Sequence, residues 1–299
     1  MSSMNRERQI YEGGPRRGHA FIKIVAVLAL LAAVGFIAFR SYTAFPGDEN
    51  YFTVLLIGED KNYSRDGAAL DAPGRPDAML VLAVPRKPGP SLLLSVPRDT
   101  LVRYPSGARK RVNAAIGIGG IEMACDVVSD LLGLKIHRHI AVDFGGFTQL
   151  VDALGGVDIE VDKRMKYTDI AGGYSLNLEP GMHHMDGETA LKYVRYRNDA
   201  LGDIARTARQ QRFLKAVISE LAGWKGIRGY RSVLRLVQEY TDTDLSVREM
   251  AAIGWRLRSI DPSSLNTTTL PGSFNDPYWE PDHAGISSLM ESLGLVRLQ

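Results

Sequence analysis

The sequence predicts an α/β domain, with helices packed against a sheet, behind a single N-terminal transmembrane helix. Three observations lead to this prediction. A strongly apolar stretch precedes residue 40, short apolar runs rich in β-branched residues follow residue 50, and segments with helical spacing come after them. Of the 299 residues, 45% are hydrophobic and 23% are charged, which is typical of a globular protein.

The apolar stretch AFIKIVAVLALLAAVGFIAF covers residues 20–39, roughly the length that a helix needs to cross a bilayer. Four arginines precede it, and two acidic residues follow within ten positions, which places the N-terminus in the cytoplasm. A cleaved signal peptide is the alternative, but no A-x-A-like site follows the stretch. We therefore expect a cytoplasmic segment (1–19), a membrane span (20–39), a linker (40–51) and an extracytoplasmic domain (52–299).

Three apolar runs, at residues 53–57, 78–84 and 91–96, are bounded by glycine and proline and predict buried strands. The tight connection from Pro85 to Pro90 makes the second and third strands a hairpin, and we expect the first strand to be antiparallel to the second. Helices are predicted at residues 120–132 and 146–154. Gly133 and Gly155–Gly156 stand where C-terminal caps belong.

This topology brings three strand ends to one edge of the sheet. They carry Asp60, the Arg75 and Asp77 pair, and the Arg98 and Asp99 pair. Since the strand interiors are apolar, the chemistry is predicted to lie on loops at this edge. The alternative for each residue is a solvated loop charge.

A helix beginning near Asp203 directs polar residues inwards. Asp203, Arg206 and Gln210 lie on the same side as the apolar residues that continue the stripe, while Arg212, Lys215 and Ser219 face solvent. A buried guanidinium must be neutralised or hold an anion. Arg206 is therefore predicted either to pair with Asp203 or to bind a ligand.

Further basic residues flank these two groups. Arg195 and Arg197 are separated by one residue, so in an extended segment they would project to one side and form a clamp for phosphate. A surface salt-bridge network is the alternative. The patch Arg109-Lys110-Arg111 is, by itself, typical of a solvated loop.

Composition excludes several kinds of site. The 36 basic and 34 acidic residues give a net charge of +2, which does not favour nucleic acid as a partner. Cys125 is the one cysteine, so the chain has no intrachain disulfide and no thiolate metal cluster. Its apolar surroundings favour a structural thiol over a nucleophile.

Seven segments in order resemble the LytR-CpsA-Psr family, whose members attach glycopolymers to peptidoglycan. They are IGED, GRPDAMLVLAV, LLLSVPRDTLV, KRVNAAIGIGG, VDFGGFTQLVDALGGVDIEV, LNLEPGMHHMDGETALKYVRYR and GDIARTARQQ, which cover about residues 52–222. The resemblance implies a three-layer α/β/α domain with a central mixed sheet and a pocket for a polyprenyl chain. It also implies that a peptidoglycan sugar hydroxyl attacks a polyprenyl-diphosphate-linked glycan and that polyprenyl phosphate leaves.

The resemblance also implies roles for individual residues. Asp60, Asp77 and Asp99 would lie near a magnesium ion and the attacking hydroxyl, with Asp203 serving the metal or orienting an arginine. The residues that, by this resemblance, would bind the diphosphate are Arg75, Arg98, Arg111, Arg195, Arg197, Arg206 and Gln210. This sequence departs from the family's pattern in two places. Pro76 and Ala78 stand where the family more often has small hydroxyl residues, and Arg111 stands where it usually has lysine.

Three other functions compete with transfer. They are a non-catalytic polyprenyl-phosphate-binding regulator of wall assembly, a polyprenyl-diphosphate hydrolase, and a DNA-binding regulator. The last conflicts with the predicted topology, which places the arginines outside the membrane.

Overall fold

The computed structural model describes residues 50–60, 75–87, 89–169, 174–196, 202–222, 234–258 and 265–295. The chain divides into two units, Met1–Ala44 and Phe45–Gln299, and all of these residues belong to the second. No helix within them has the length and hydropathy of a membrane span. The predicted span at 20–39 lies outside them.

A sheet with six strands in the described residues forms the centre of the domain. Its strands are β1 (Tyr51–Asp60), β2 (Arg75–Pro85), β3 (Ser91–Ser95), β6 (Arg138–Asp143), β11 (Thr241–Thr243) and β12 (Leu265–Thr269). Their order across the sheet is β11-β6-β1-β2-β3-β12. As predicted, β1 is antiparallel to β2, and β2 is antiparallel to β3. The pairs β1–β6 and β3–β12 are parallel, so the sheet is mixed.

Within the described residues, eight further strands form four two-stranded ribbons, which the sequence patterns do not predict. The pairs are β4 with β5, β7 with β10, β8 with β9, and β13 with β14. Their bounds are β4 (Leu101–Arg103), β5 (Arg109–Arg111), β7 (Val157–Val161), β8 (Met165–Asp169), β9 (Tyr174–Leu178), β10 (Gly181–Met185), β13 (Gly272–Asn275) and β14 (Tyr278–Pro281).

Helices cover both faces of the central sheet. They are α1 (Ala115–Leu132), α2 (Phe144–Ala153), α3 (Gly187–Arg195), α4 (Gly202–Ala222), α5 (234–240), α6 (Val247–Arg258) and α7 (His283–Ser292). Gly119 and Gly120 interrupt α1, so its second part begins where the sequence predicted the helix. Gly133 caps it with φ of +63°.

Alternate residues of each central strand pack into different cores. In β2, Met79, Val81 and Ala83 join α1 and α7 in one core. The intervening residues Leu80 and Leu82 pack against α4 and α6 on the opposite face. Because side chains alternate across a strand, continuous apolar runs bury both faces of a sheet. The three-layer arrangement follows from this burial.

Cys125 lies on α1 and packs at the edge of the first core. Burial raises the pKa of its thiol to about 12, and nearby acidic side chains add to the effect. Such a thiol carries almost no thiolate at neutral pH. The structural interpretation of Cys125 is supported.

Candidate active site

A cavity of about 770 Å³ lies between the sheet and helices α2, α3 and α4. Most of its lining is apolar, and three phenylalanines, Phe144, Phe147 and Phe213, stand on the helical side. On the other side, the cavity is lined by the face of the sheet that points towards α4. Among the apolar residues that line it are Leu56, Ala78, Leu80, Ile140, Val142, Leu150, Val151, Leu154, Leu191, Val194, Leu214, Val217 and Val237. The interior is suited to a long hydrocarbon chain.

Polar side chains from the sheet and from two helices also line this cavity. They include Asp77 at the start of β2, Arg195 at the end of α3, and Arg206 and Gln210 on α4, and Asp143 and Thr241 also belong to the lining. A small adjoining cavity shares Asp77, Arg206 and Gln210 and extends to Arg98. We refer to Asp77, Arg98, Arg195, Arg206 and Gln210 as the polar mouth. The apolar interior and the polar mouth together fit an amphiphile with an anionic head group.

A bulge in the sheet sets the position of Asp77. Gly58 of β1 pairs with Ala78, but the next residue, Glu59, pairs with Pro76, so Asp77 has no partner across the ladder. Bulges of this kind reorient a side chain at the end of a strand. The carboxylate of Asp77 accepts a hydrogen bond from Nη1 of Arg98 at 2.6 Å. The predicted convergence of the second and third strand ends is confirmed.

A chain of alternating charges extends outwards from Asp77. Nε of Arg98 lies 3.5 Å from Asp99, and Nε of Arg111 lies 3.2 Å from the same carboxylate. Arg111 also donates to the carbonyl of Pro277 at 3.2 Å, and its guanidinium lies 5.4 Å from the ring centre of Tyr278. Asp99 and Arg111 are absent from the described lining of both cavities. Arg111 therefore lies beside the polar mouth, bound to protein groups.

Arg206 on helix α4 faces inwards, as the pattern of polar and apolar residues along the helix predicted. Arg206 is 4% exposed, and its Nη2 donates to the carbonyl of Asp77 at 3.4 Å. Gln210 follows one turn later, and Leu214 and Val217 continue the same side into the apolar cavity. The backbone of Asp203 belongs to α4, but its side chain lies outside the described residues, so its predicted pairing with Arg206 stays a prediction.

A second buried arginine, Arg209, was missed in the sequence. It is also 4% exposed, donates to the carbonyl of Tyr196 and lies 5.2 Å from the ring centre of that residue. These contacts attach α4 to the end of α3. Phe213 lies one turn further along the same side of α4, and this apolar residue is the sequence feature that indicates an inward-facing Arg209.

The position of Arg195 differs from the prediction that Arg195 and Arg197 lie in an extended segment. It is the last residue of α3, and the extended backbone begins at Tyr196, whose ψ is 129°. The helix continues this far because Ala190, Tyr193 and Val194 are buried at helical spacing. The guanidinium of Arg195 lies 4.2 Å from the ring centre of Phe144, at the boundary between the polar mouth and the apolar interior. Arg197 lies outside the described residues.

The carboxylates at the polar mouth are the candidate ligands for a magnesium ion. Where the structure describes side chains, no three His, Cys, Asp or Glu residues form a metal-binding group. Magnesium bound to a phosphate-bearing substrate needs only one or two carboxylates, because waters and phosphate oxygens complete its shell. Asp77, with a side chain 33% exposed at the polar mouth, fits this role. The backbones of Asp60 and Arg75 pair at the same sheet edge, but their side chains are not described.

This cavity and its polar mouth define a class of α/β domain with an apolar interior and a charged entrance, which is suited to an anionic amphiphile. The chain belongs to the LytR_cpsA_psr (LytR-CpsA-Psr) family, whose model matches residues 39–293.

Relatives from several bacteria share much of this chain. The polyisoprenyl-teichoic acid–peptidoglycan teichoic acid transferase TagV of Bacillus subtilis is 27% identical, with 91% of this chain and 77% of TagV aligned. The transferase TagU of Halalkalibacterium halodurans is 35% identical over 70% of this chain and 64% of its own length. This chain covers 51% of biofilm regulatory protein A of Streptococcus mutans. It thus spans between 51% and 77% of the length of these three relatives.

Solved structures share the fold. The crystal structure of B. subtilis TagV superimposes with a TM-score of 0.70 and 26% identity over 83% of this chain and 97% of TagV. A structure of TagT bound to LIIa-WTA gives a TM-score of 0.66 over 84% of this chain and 94% of TagT. At 23% identity, TagT supports the fold alone.

Proposed function

We propose that this protein transfers a glycopolymer from a polyprenyl-diphosphate carrier to a sugar hydroxyl of peptidoglycan and releases polyprenyl phosphate. The observation that carries this proposal is the apolar cavity of about 770 Å³ lined also by Asp77, Arg195, Arg206 and Gln210. A hydrocarbon chain and a diphosphate joined in one molecule match these two environments. The names of TagV and TagU, which are polyisoprenyl-teichoic acid–peptidoglycan transferases, support the same chemistry.

In this proposal the polyprenyl chain lies among the phenylalanines, leucines and valines of the cavity. Arg206 and Arg195 bind the diphosphate, with Arg98 and Gln210 at its outer side. Guanidinium groups match phosphate oxygens with paired hydrogen bonds, and burial strengthens this attraction. Arg206, which is almost fully buried, contributes most to binding. Arg75 and Arg197 remain predicted contributors, and Arg111 is proposed below to have another role.

The reaction forms a bond from the acceptor oxygen to the glycan-side phosphorus and breaks the bond from that phosphorus to the bridging oxygen. The acceptor hydroxyl transfers its proton to a carboxylate base, and polyprenyl phosphate takes the electron pair of the broken bond. Asp77, Asp99 and Asp60 are the candidate bases. Arginines that neutralise the phosphate oxygens lower the barrier, because phosphoryl transfer depends on positioning and charge stabilisation.

Magnesium is proposed as the cofactor. When bound, it supplies further charge neutralisation on the phosphates. Asp77 would hold it, with Asp60 and Asp203 as the other proposed ligands. Since Arg98 already binds Asp77, that arginine orients the carboxylate towards the diphosphate.

The proposed location is the outer side of the cell membrane. A single span at residues 20–39 would keep the domain near a carrier lipid that cannot leave the bilayer. Protease treatment of intact spheroplasts tests this arrangement, since it should digest residues 52–299. Protection of that region in intact spheroplasts would refute the topology.

Transfer is tested with the full chain in detergent, a polyprenyl-diphosphate-linked glycan labelled in the sugar, peptidoglycan and magnesium. We expect label on the insoluble wall and polyprenyl phosphate in solution. Soluble glycan phosphate without wall labelling would favour a hydrolase. Retention of intact lipid without turnover would favour a non-catalytic regulator of wall assembly.

A further inference from the structure

A two-stranded hairpin, formed by β13 and β14, lies directly beside the polar mouth. The N–H of Trp279 donates to the carbonyl of Asp99 at 3.0 Å, and Thr100 forms a bridge with Trp279. The hairpin is thus attached to the turn that carries Arg98 and Asp99. None of its residues belongs to the described lining of either cavity, so the hairpin borders the polar mouth from outside the apolar interior.

The two faces of this hairpin differ in chemistry. Phe274 pairs with Trp279 across the strands, and Trp279 packs against the first core. Alternation places Tyr278, Asn275 and Glu280 on the other face. Nδ2 of Asn275 donates to Oε1 of Glu280 at 3.3 Å, and both residues are exposed. This face, here called the outer face, combines an aromatic ring with an amide and a carboxylate.

Arg111 connects the outer face to the polar mouth. Its guanidinium pairs with Asp99, donates to the carbonyl of Pro277 and lies over the ring of Tyr278. A planar guanidinium provides several donors at fixed angles and stacks on aromatic rings, which a lysine ammonium does not do in the same way. Arg111 therefore fixes Tyr278 relative to Asp99.

The direction of the reaction indicates what this face receives. In phosphoryl transfer the attacking and leaving oxygens are roughly in line on opposite sides of the phosphorus. Because the polyprenyl chain occupies the cavity in the proposed function, the leaving oxygen points towards the cavity. The acceptor hydroxyl must then arrive from outside the cavity. Asp99 and the hairpin lie outside the lining of both cavities, next to Arg98, and so border this approach.

We infer that the outer face of the β13–β14 hairpin binds the N-acetylated sugar of the acceptor glycan strand. The inference rests on the proposed function and adds to it a site for the second substrate. Sugars place their C–H faces on aromatic rings, while amide and carboxylate groups hydrogen-bond to hydroxyl and acetamido groups. Tyr278 supplies the ring, Asn275 and Glu280 supply the polar groups, and Arg111 is a positioning residue.

The test titrates the full chain in detergent with a soluble peptidoglycan fragment of alternating N-acetylglucosamine and N-acetylmuramic acid. Calorimetry measures saccharide binding directly, without any requirement for turnover. Tyr278→Ala and Asn275→Ala should each weaken binding about tenfold, as expected for the loss of one important contact side chain. In transfer assays the same variants should raise the KM for the acceptor and leave the KM for the lipid donor unchanged.

Phe274→Ala is the matched control, since it lies on the opposite face of the same hairpin and is 64% exposed. It should bind the saccharide as the wild type does. Arg111→Lys should raise the acceptor KM by a larger factor than it lowers kcat and leave the KM for the lipid donor unchanged, which a general loss of folding would not do. An equal loss in Phe274→Ala, or no saccharide binding by the wild type, would overturn the inference. Wild-type binding without transfer would instead refute the proposed function alone.

Discussion

Arg98 and Asp77, which are 21 residues apart, form a hydrogen-bonded ion pair of 2.6 Å at the edge of the central sheet. Their side chains are 29% and 33% exposed, so the pair borders the cavity and is partly shielded from water. A pair in this position orients both groups more than it stabilises the fold. Arg98 is thereby held on the outer side of the proposed diphosphate site, and Asp77 on its inner side.

Asp77→Asn tests the carboxylate. The amide keeps the size of the side chain but removes its charge, so both the Arg98 ion pair and the proposed magnesium contact are weakened. We expect transfer to fall about 100-fold, as for other losses of transition-state stabilisation, with lipid binding largely retained. Single-turnover assays over a range of magnesium concentrations measure this effect. Full activity in Asp77→Asn would remove Asp77 from the proposed mechanism.

Arg206→Ala tests the diphosphate site. Removal of this buried guanidinium should lower the affinity for the lipid diphosphate and reduce kcat/KM about 100-fold, because the phosphate charge loses its most buried partner. Arg206→Lys keeps the charge without the fork and should recover only part of the activity. Lys215→Ala, on the predicted outer side of α4, is the control. Thermal unfolding of each variant separates loss of binding from loss of structure.

Periodicity and turn chemistry predicted the region of the site. The three apolar runs and the Pro85–Pro90 turn are enough to predict that Asp77 lies near Arg98 and Asp99. The stripe on α4 likewise predicted the burial of Arg206. Both patterns are local, because a strand repeats every two residues and a helix every 3.6 residues.

The partners of Arg111 and Arg195 could not be predicted in this way. Arg111 bonds to Pro277, which is 166 residues away, and no local pattern reports such a contact. For Arg195, the end of α3 is fixed by packing of Tyr193 and Val194 and by the contact of Arg209 with Tyr196. The predicted extended clamp failed there because tertiary contacts set the helix boundary.

Glu249→Gln tests the attachment of α6 to the sheet. Glu249 is 4% exposed and accepts hydrogen bonds from the backbone N–H and hydroxyl of Ser246, and Nη2 of Arg138 lies 2.9 Å from its other oxygen. Burial raises the pKa of this carboxyl, but the bonds from Ser246 and then Arg138 outweigh burial and lower the pKa below its ordinary value of 4.5. The folded state therefore favours the charged form.

A carboxyl whose pKa is lower in the folded state than in the unfolded state stabilises the fold at pH values above its unfolded-state pKa. This stabilisation is lost as the pH falls through the folded-state pKa. We expect Glu249→Gln to reduce the free energy of unfolding by about 2 kcal/mol at pH 7. The difference from wild type should shrink below pH 4.5. Urea unfolding across this range measures it, with exposed Glu239→Gln as the control. A difference that stays constant with pH would contradict the assignment.

Val217→Phe tests whether the apolar cavity holds the polyprenyl chain. Val217 lies seven residues beyond Gln210 on α4, which places it about 10 Å deeper along the helix axis. A phenylalanine there should obstruct a long chain and leave room for a short one near the polar mouth. We expect the KM for a long polyprenyl-diphosphate donor to rise at least about tenfold, while the KM for a geranyl-diphosphate donor changes little.

Ser219→Phe, which places the same ring on the exposed side of α4, is the matched control. Equal effects on both donors would mean that the chain lies elsewhere, and the cavity would then lose its proposed role.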